Sequence, residues 1–255
     1  MTEEHSPPRV SPPKRAVVTL AWGRHAEYLE LTLPILQEYC EIHTCDLVVE
    51  TSLLDTRRPA AWSKIPLLLR ELRRYDEILW LDADTLILDP SRSIFDEVHE
   101  TAELGWVVHN FEGQPFPNSG VMVLRATPAV REVLEIAYLQ EDLIDSPWWD
   151  NAALMRVTGY GIPGLEPESP PVRSIKEVCL ESGWNAIRHY PTNDPIIRHY
   201  AGDRHELRMV LMLEVLMLNS GLTSILQRRG YVIESFAAWI TRVFESAIST
   251  NRETL

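Results

Sequence analysis

Two aspartates one residue apart, Asp82 and Asp84, stand between two apolar runs in YDEILWLDADTLILDP, Tyr75–Pro90. The first run, Ile78–Leu81, reads as a buried strand, and Leu86–Leu88 leads on from the pair. Unpaired carboxylates inside a sheet would carry a heavy desolvation cost. The pair is therefore expected where the strand emerges, facing water or a cation. Mg²⁺ and Mn²⁺ take oxygen ligands and join carboxylates to substrate phosphates. The carboxyl end of a strand in an α/β sheet is also where ligands bind. As a tripeptide Asp-x-Asp has a plainer account, a solvated turn in an acidic chain. Its place at the end of a strongly apolar strand favours the ligand site.

The surrounding elements must hold that pair. Arg15–Trp22 reads as a first strand ending at Gly23, and Asp46–Thr51 as a second. His25–His43 has Leu29, Leu33, Leu36 and Tyr39 at helical spacing. Ala61–Arg74 reads as a helix with Pro66 near its first turn, where proline is tolerated. Leu104–His109 and Gly120–Arg125 read as strands, and Pro128–Asp142 as a helix. Gly159–Val172 is dense in Pro and Gly and reads as a loop. Helical spacing returns over Arg204–Leu226 and Val232–Ile248. Alternating strands and helices predict an α/β fold with a mixed, mostly parallel sheet flanked by helices, and a helical C-terminal extension. The one G-x-G-x-x-G, Gly159–Gly164, falls in that Pro-rich loop and follows no strand, and no G-x-x-x-x-G-K-[ST] is present, so dinucleotide oxidoreductase and P-loop chemistry have no support.

Composition limits the partners. The 255 residues suit one α/β domain with a small appendage. Acidic residues outnumber basic ones 37 to 24, for a formal charge of -13, which argues against a nucleic-acid partner. A nucleotide substrate stays compatible, because a cation and a few local bases can neutralise a diphosphate. Cys40, Cys45 and Cys179 form no C-x-x-C and read as reduced thiols. The first residues lack an apolar signal region, and residues 1–13 read as a flexible tail. Met209–Leu218 is too short to span a bilayer. These features lead to an expected cytoplasmic location, with peripheral membrane contact or a homodimer through the C-terminal helices as further roles.

Six segments fall in a telling order: AWSKIPLLLREL (Ala61–Leu72), WLDADTLILDP (Trp80–Pro90), NSGVMVLR (Asn118–Arg125), WWDNAAL (Trp148–Leu154), WNAIRHYP (Trp184–Pro191) and IIRHYAGDR (Ile196–Arg204). On them the chain resembles glycosyltransferase family thirty-four, the galactosyl, mannosyl and xylosyl transferases, with a looser likeness to family eight. The resemblance spans roughly Arg15 to Arg208. It implies a GT-A fold, a Rossmann-like domain over residues 14–205, with a donor half at 14–125, an acceptor half at 126–205 and an extension at 206–255.

The resemblance also implies roles. Asp82 and Asp84 match metal-binding aspartates, and His199 a third ligand; an imidazole suits Mn²⁺ better than Mg²⁺. Donor contacts would include Ala83 beside the metal pair. Lys64 would approach the diphosphate as a point charge. Gly202 and Arg204 would hold the diphosphate with backbone amides and a guanidinium. Asn118, Ser119 and Gly120 would lie under the donor sugar, glycine allowing a close backbone approach. Ala21, Trp22 and Gly23, at the end of the first strand, would hold base and ribose. Asp150 would bind sugar hydroxyls, and Asn151 would lie near the anomeric carbon. Asn151 stands where related chains have Gln, one methylene longer. Trp148 and Trp149 offer indole faces to an acceptor sugar. Each has a structural alternative: a surface lysine, a packed histidine, a surface arginine, a turn before a strand, or core tryptophans.

The expected activity is metal-dependent transfer of a sugar from a nucleoside-diphosphate sugar, with UDP favoured, to a hydroxyl on a sugar, glycolipid or small molecule. Retention of configuration follows from the resemblance. The rivals are a catalytically silent GT-A domain that binds sugar nucleotide or a partner protein, and a nucleotidyltransferase.

Overall fold

The computed structural model describes residues 11–165 and 174–231. Strand β1 (Arg15–Leu20) is rich in β-branched residues and buried along its middle. It leads through a turn, with Gly23 at φ +61°, into helix α1 (His25–His43). Strand β2 (Asp46–Glu50) lies parallel to β1 on one side, and β3 (Glu77–Leu81) parallel on the other. All five residues of β3 are buried, which is why it reads as a continuous apolar run. A 3-10 turn at Ala60–Ser63 precedes helix α2 (Lys64–Glu71), so the helix expected over Ala61–Arg74 is shorter and split.

After β3 come β4 (Thr85–Ile87), β5 (Leu104–Phe111) and β6 (Gln114–Arg125). Strand β6 pairs antiparallel with both β3 and β5. Helix α3 (Pro128–Tyr138) starts with the Thr127 hydroxyl accepting from the Val130 N–H at 3.2 Å. Helix α4 (Trp149–Thr158) follows, then β7 (Glu177–Cys179), β8 (Ala186–Ile187) and β9 (Ile197–His199). The main sheet runs β2-β1-β3-β6-β5-β7, and a small sheet runs β4-β9-β8. Three of the five main pairings are parallel, so the sheet is mixed as expected. One hydrophobic core lies on the side of α1 and β4, the other on the side of α2, α3 and α4.

Two further expectations are corrected. Strand β6 begins at Gln114, so Asn118–Gly120 lie within a strand and are not a turn before one. The pairing with β5 shifts there, from Trp106 opposite Met122 to Val107 opposite Asn118. The expected helix Arg204–Leu226 is two helices, α5 (His205–Leu218) and α6 (Ser220–Arg228), bent by 91°. Asn219 makes the break: its side chain accepts from the N–H groups of Gly221 and Leu222 and caps α6. Helix α4 has no counterpart in the sequence reading. The expected helix Val232–Ile248, most of the tail and residues 166–172 of the expected loop lie outside the described residues.

The first two C-terminal helices pack on the domain. Met209, Met212, Leu213, Leu216, Leu222, Ile225 and Leu226 are buried in the core that holds α1. Among the described residues no single helix is long and apolar enough to cross a membrane.

Candidate active site

Parallel β1 and β3 deliver their carboxyl ends to one edge of the sheet, and the chain turns there at Asp82. Antiparallel β4–β9 pairing brings His199 back across from Thr85. Ligand atoms of Asp82, Asp84 and His199 lie within 4.8 Å of one another. His199 Nε2 is 3.4 Å from Asp84 Oδ1 and 3.8 Å from Asp82 Oδ2. His199 Nδ1 lies 3.0 Å from Asn185 Oδ1. Asn185 in turn donates through Nδ2 to Asn118 Oδ1 at 2.9 Å, which fixes its amide with oxygen toward the ring. Nδ1 is then a donor to Asn185, and Nε2 faces the two carboxylates. A cation between them resolves that arrangement, and two oxygens with one imidazole suit a divalent metal.

The surroundings fix each ligand. Trp80 Nε1 donates to Asp82 Oδ1 at 2.8 Å. Arg208 donates to Asp84 Oδ2 at 2.7 Å. Burial pushes the Asp84 carboxyl up, yet His199 and then Arg208 outweigh it and hold its pKa below the usual carboxylate range. Gly120 is required by approach: a Cβ there would lie 2.5 Å from His199 Nδ1 and closer still to Cε1. The glycine makes room for the histidine ring, where the sequence suggested room for a sugar.

Lys64 is buried at the start of α2 and is no surface lysine. Its ammonium lies 2.8 Å from Asp150 Oδ2 and 3.1 Å from Asp82 Oδ1, and donates to the Ser119 carbonyl and hydroxyl. Burial works against its charge, but Asp150 and Asp82 prevail and raise its pKa. Asp150 is itself buried; desolvation raises its pKa, with Lys64 pulling the other way. Lys64 thus joins the metal pair to the residue expected to bind sugar hydroxyls.

Asn151 spends its amide on the protein. Oδ1 accepts from the Ser119 N–H at 2.7 Å, and Nδ2 donates to the Pro117 carbonyl at 3.2 Å. These groups lie two residues apart on β6, where a neighbouring strand would meet them. One side chain stands in for one residue of a missing strand.

These residues line one cavity of about 530 Å³, with Trp22, His25, Ala83, Asn118, Ser119, Trp149 and Gly202 among its walls. Ala21, Gly23 and Arg204 are not among its lining residues; Ala21 is buried and Arg204 is exposed at the N-cap of α5. The cavity guanidinium is Arg208, one helical turn further on. The spacing of Arg204 and Arg208 on a predicted helix was the available signal for it. The two neighbouring tryptophans also part company. Trp148 is half-buried, packed edge-on against Phe111 and Phe116 while it also lines the cavity. Trp149 is 45% exposed and has φ +43°, a left-handed conformation that strains a bulky residue by about 1–3 kcal/mol.

The sequence model of the galactosyl transferase GMA12/MNN10 family matches residues 24–111. That span holds Lys64, Asp82 and Asp84; Asp150 and His199 lie beyond it. No curated protein matches the chain. Among solved structures, a glycosyltransferase involved in glycosylation of the major capsid of PBCV-1 is similar at TM-score 0.61 and 16% identity, over 81% of this chain and 100% of that one. The glycosyltransferase GlyE of Streptococcus pneumoniae TIGR4 is similar at TM-score 0.53 and 15% identity, over 84% of this chain and 63% of that one. The bifunctional glycosyltransferase WbbM gives TM-score 0.52 and 12% identity, over 87% of this chain and 52% of that one. The structural likenesses carry the fold, and the family match carries the chemistry class. Together they identify this chain as a glycosyltransferase of the GT-A fold, with the galactosyl transferase GMA12/MNN10 family signature over residues 24–111.

Proposed function

We propose that the chain is a divalent-metal-dependent, retaining glycosyltransferase that uses a nucleoside-diphosphate sugar, UDP-linked by preference, and a hydroxyl acceptor. The reading is carried by one observation: Lys64 bridges Asp82 of the cation cluster to Asp150 inside a single cavity. Asp82, Asp84 and His199 would hold Mn²⁺ or Mg²⁺. When bound, such an ion neutralises a diphosphate and stabilises its departure.

The chain's own residues supply the rest. Arg208 and Lys64 place fixed positive charge near the cluster, where negative charge develops as the nucleotide leaves. Asp150 Oδ2 is held by Lys64 and Ser119, so the carboxylate is oriented before any ligand arrives. It offers an anionic oxygen to a positively charging sugar ring. Trp22, half exposed at the cavity wall, offers its face to the base. Retention is favoured because Asp150 is committed to Lys64, and a nucleotide oxygen can take the acceptor proton on the departing side.

A screen of UDP- and GDP-linked sugars, following nucleotide release with Mn²⁺, with EDTA and in Asp84→Ala, tests the reading. Metal-dependent release from one donor, lost in the variant, is expected. Nucleotide binding without turnover in the presence of any acceptor would favour a silent GT-A domain.

A further inference from the structure

We infer that Trp149 is the acceptor platform of this site, and that the acceptor presents a pyranose ring whose apolar face stacks on the exposed indole. The inference rests on the glycosyl-transfer reading above and deepens it by naming the acceptor class.

Two unfavourable features meet at this residue. Its backbone is left-handed at φ +43°, where Asn or Gly sits without strain. Its indole is 45% exposed, so it recovers little from packing. Trp148, one residue earlier, shows what a packed indole looks like here, edge-on to two phenylalanines. The fold therefore gains little from tryptophan at 149.

The location gives the side chain a use. Trp149 opens α4, next to Asp150, and lines the same cavity as the cation cluster. The sheet order β1-β3-β6 sets the sequence of groups along the cavity. Trp22 follows β1, Asp82 follows β3, and Ser119 lies on β6. Helix α4 adds Asp150 and Trp149 beyond them. A donor whose base meets Trp22 and whose diphosphate meets the cluster has its sugar by Asp150. Trp149, the residue before Asp150, lines the cavity beside that sugar, where an acceptor hydroxyl must come. An indole offers a flat apolar face and a ring N–H, which match the C–H face and rim hydroxyls of a pyranose.

The test uses Trp149→Asn and Trp149→Phe in the full chain, with lactose, cellobiose and maltose as probes. Saturation-transfer NMR reads saccharide binding, thermal unfolding reads stability, and nucleotide release from the sugar nucleotide reads donor use. For Trp149→Asn we expect an unchanged or higher melting temperature and at least a 10-fold loss of saccharide binding. Trp149→Phe should keep most of that binding. Equal binding by wild type and Trp149→Asn would overturn the inference. So would donor hydrolysis by a wild type that binds none of the three probes. Absence of nucleotide binding and hydrolysis in every variant would instead sink the glycosyl-transfer reading, while the saccharide comparison still decides the role of Trp149.

Discussion

The imidazole of His199 occupies the space that a side chain at residue 120 would need, with Nδ1 2.5 Å from where a Cβ would stand. Strand β6 and strand β9 therefore meet at one glycine, and the cation cluster depends on it. Gly120→Ala should push the ring away from Asp82 and Asp84. A loss of about 10–100-fold in Mn²⁺ affinity is expected, the range seen when support for a metal ligand is removed. Calorimetric titration of Mn²⁺ checks it, and unchanged affinity would remove His199 from the ligand set.

Lys64 neutralises two carboxylates at once. Lys64→Met leaves Asp150 buried without its partner, and should lower unfolding stability by about 3–5 kcal/mol. Adding Asp150→Asn should recover most of that loss, because the uncompensated charge goes with it. Urea unfolding of the single and double variants measures both steps.

Arg208 and Arg204 provide a paired comparison. Arg208 reaches Asp84 at 2.7 Å, whereas Arg204 is exposed at the helix start. Arg208→Ala should slow nucleotide release by roughly 100-fold, the scale for removing one charge-stabilising donor. Arg204→Ala should stay within about twofold of wild type, a surface change outside the cavity. Steady-state rates of the two variants decide between them.

Acid sensitivity should trace partly to His109. Burial, with His199 nearby adding to it, lowers its pKa to about 4, and its Nε2 has no partner among the described residues. The unfolded chain, with a histidine near its ordinary value, binds more protons between about pH 6.5 and pH 4. Stability from this group is therefore present above that window and lost as pH falls through it. Between about pH 7.5 and pH 5 the loss is about 2 kcal/mol. His109→Phe retains a ring against Tyr190, stacked at 4.5 Å in the wild type, and should remove that part of the pH dependence. Urea unfolding at the two pH values tests it.

Much of the first half of the fold was legible. The strands β1 and β3 and helix α1 announce themselves because an apolar run or a helical period ends in a recognisable stop. The cluster of Asp82, Asp84 and His199 followed from a strand end and from a family likeness, and the fold brings the three together. Helix α4 stayed hidden because it is buried nearly all round, so no polar face marks its period. The first half of β6 stayed hidden behind Pro115 and Pro117, which usually argue against a central strand. That half is an edge supported by the amide of Asn151, a long-range partner that no local pattern reveals. The bend at Asn219 was lost because the apolar period continues across it.

The bond between Asp84 and Arg208 joins residues 124 positions apart in the chain. Contacts that close such long loops form late, because their entropy must be met before any gain appears. The cluster is therefore assembled across more than half of the described chain and by no single supersecondary unit. During refolding, secondary structure and even the β1–β3 pairing should return before the protein regains its hold on a cation. Metal competence thus works as a clock hand for the final step of folding, read at the residues that later do the chemistry.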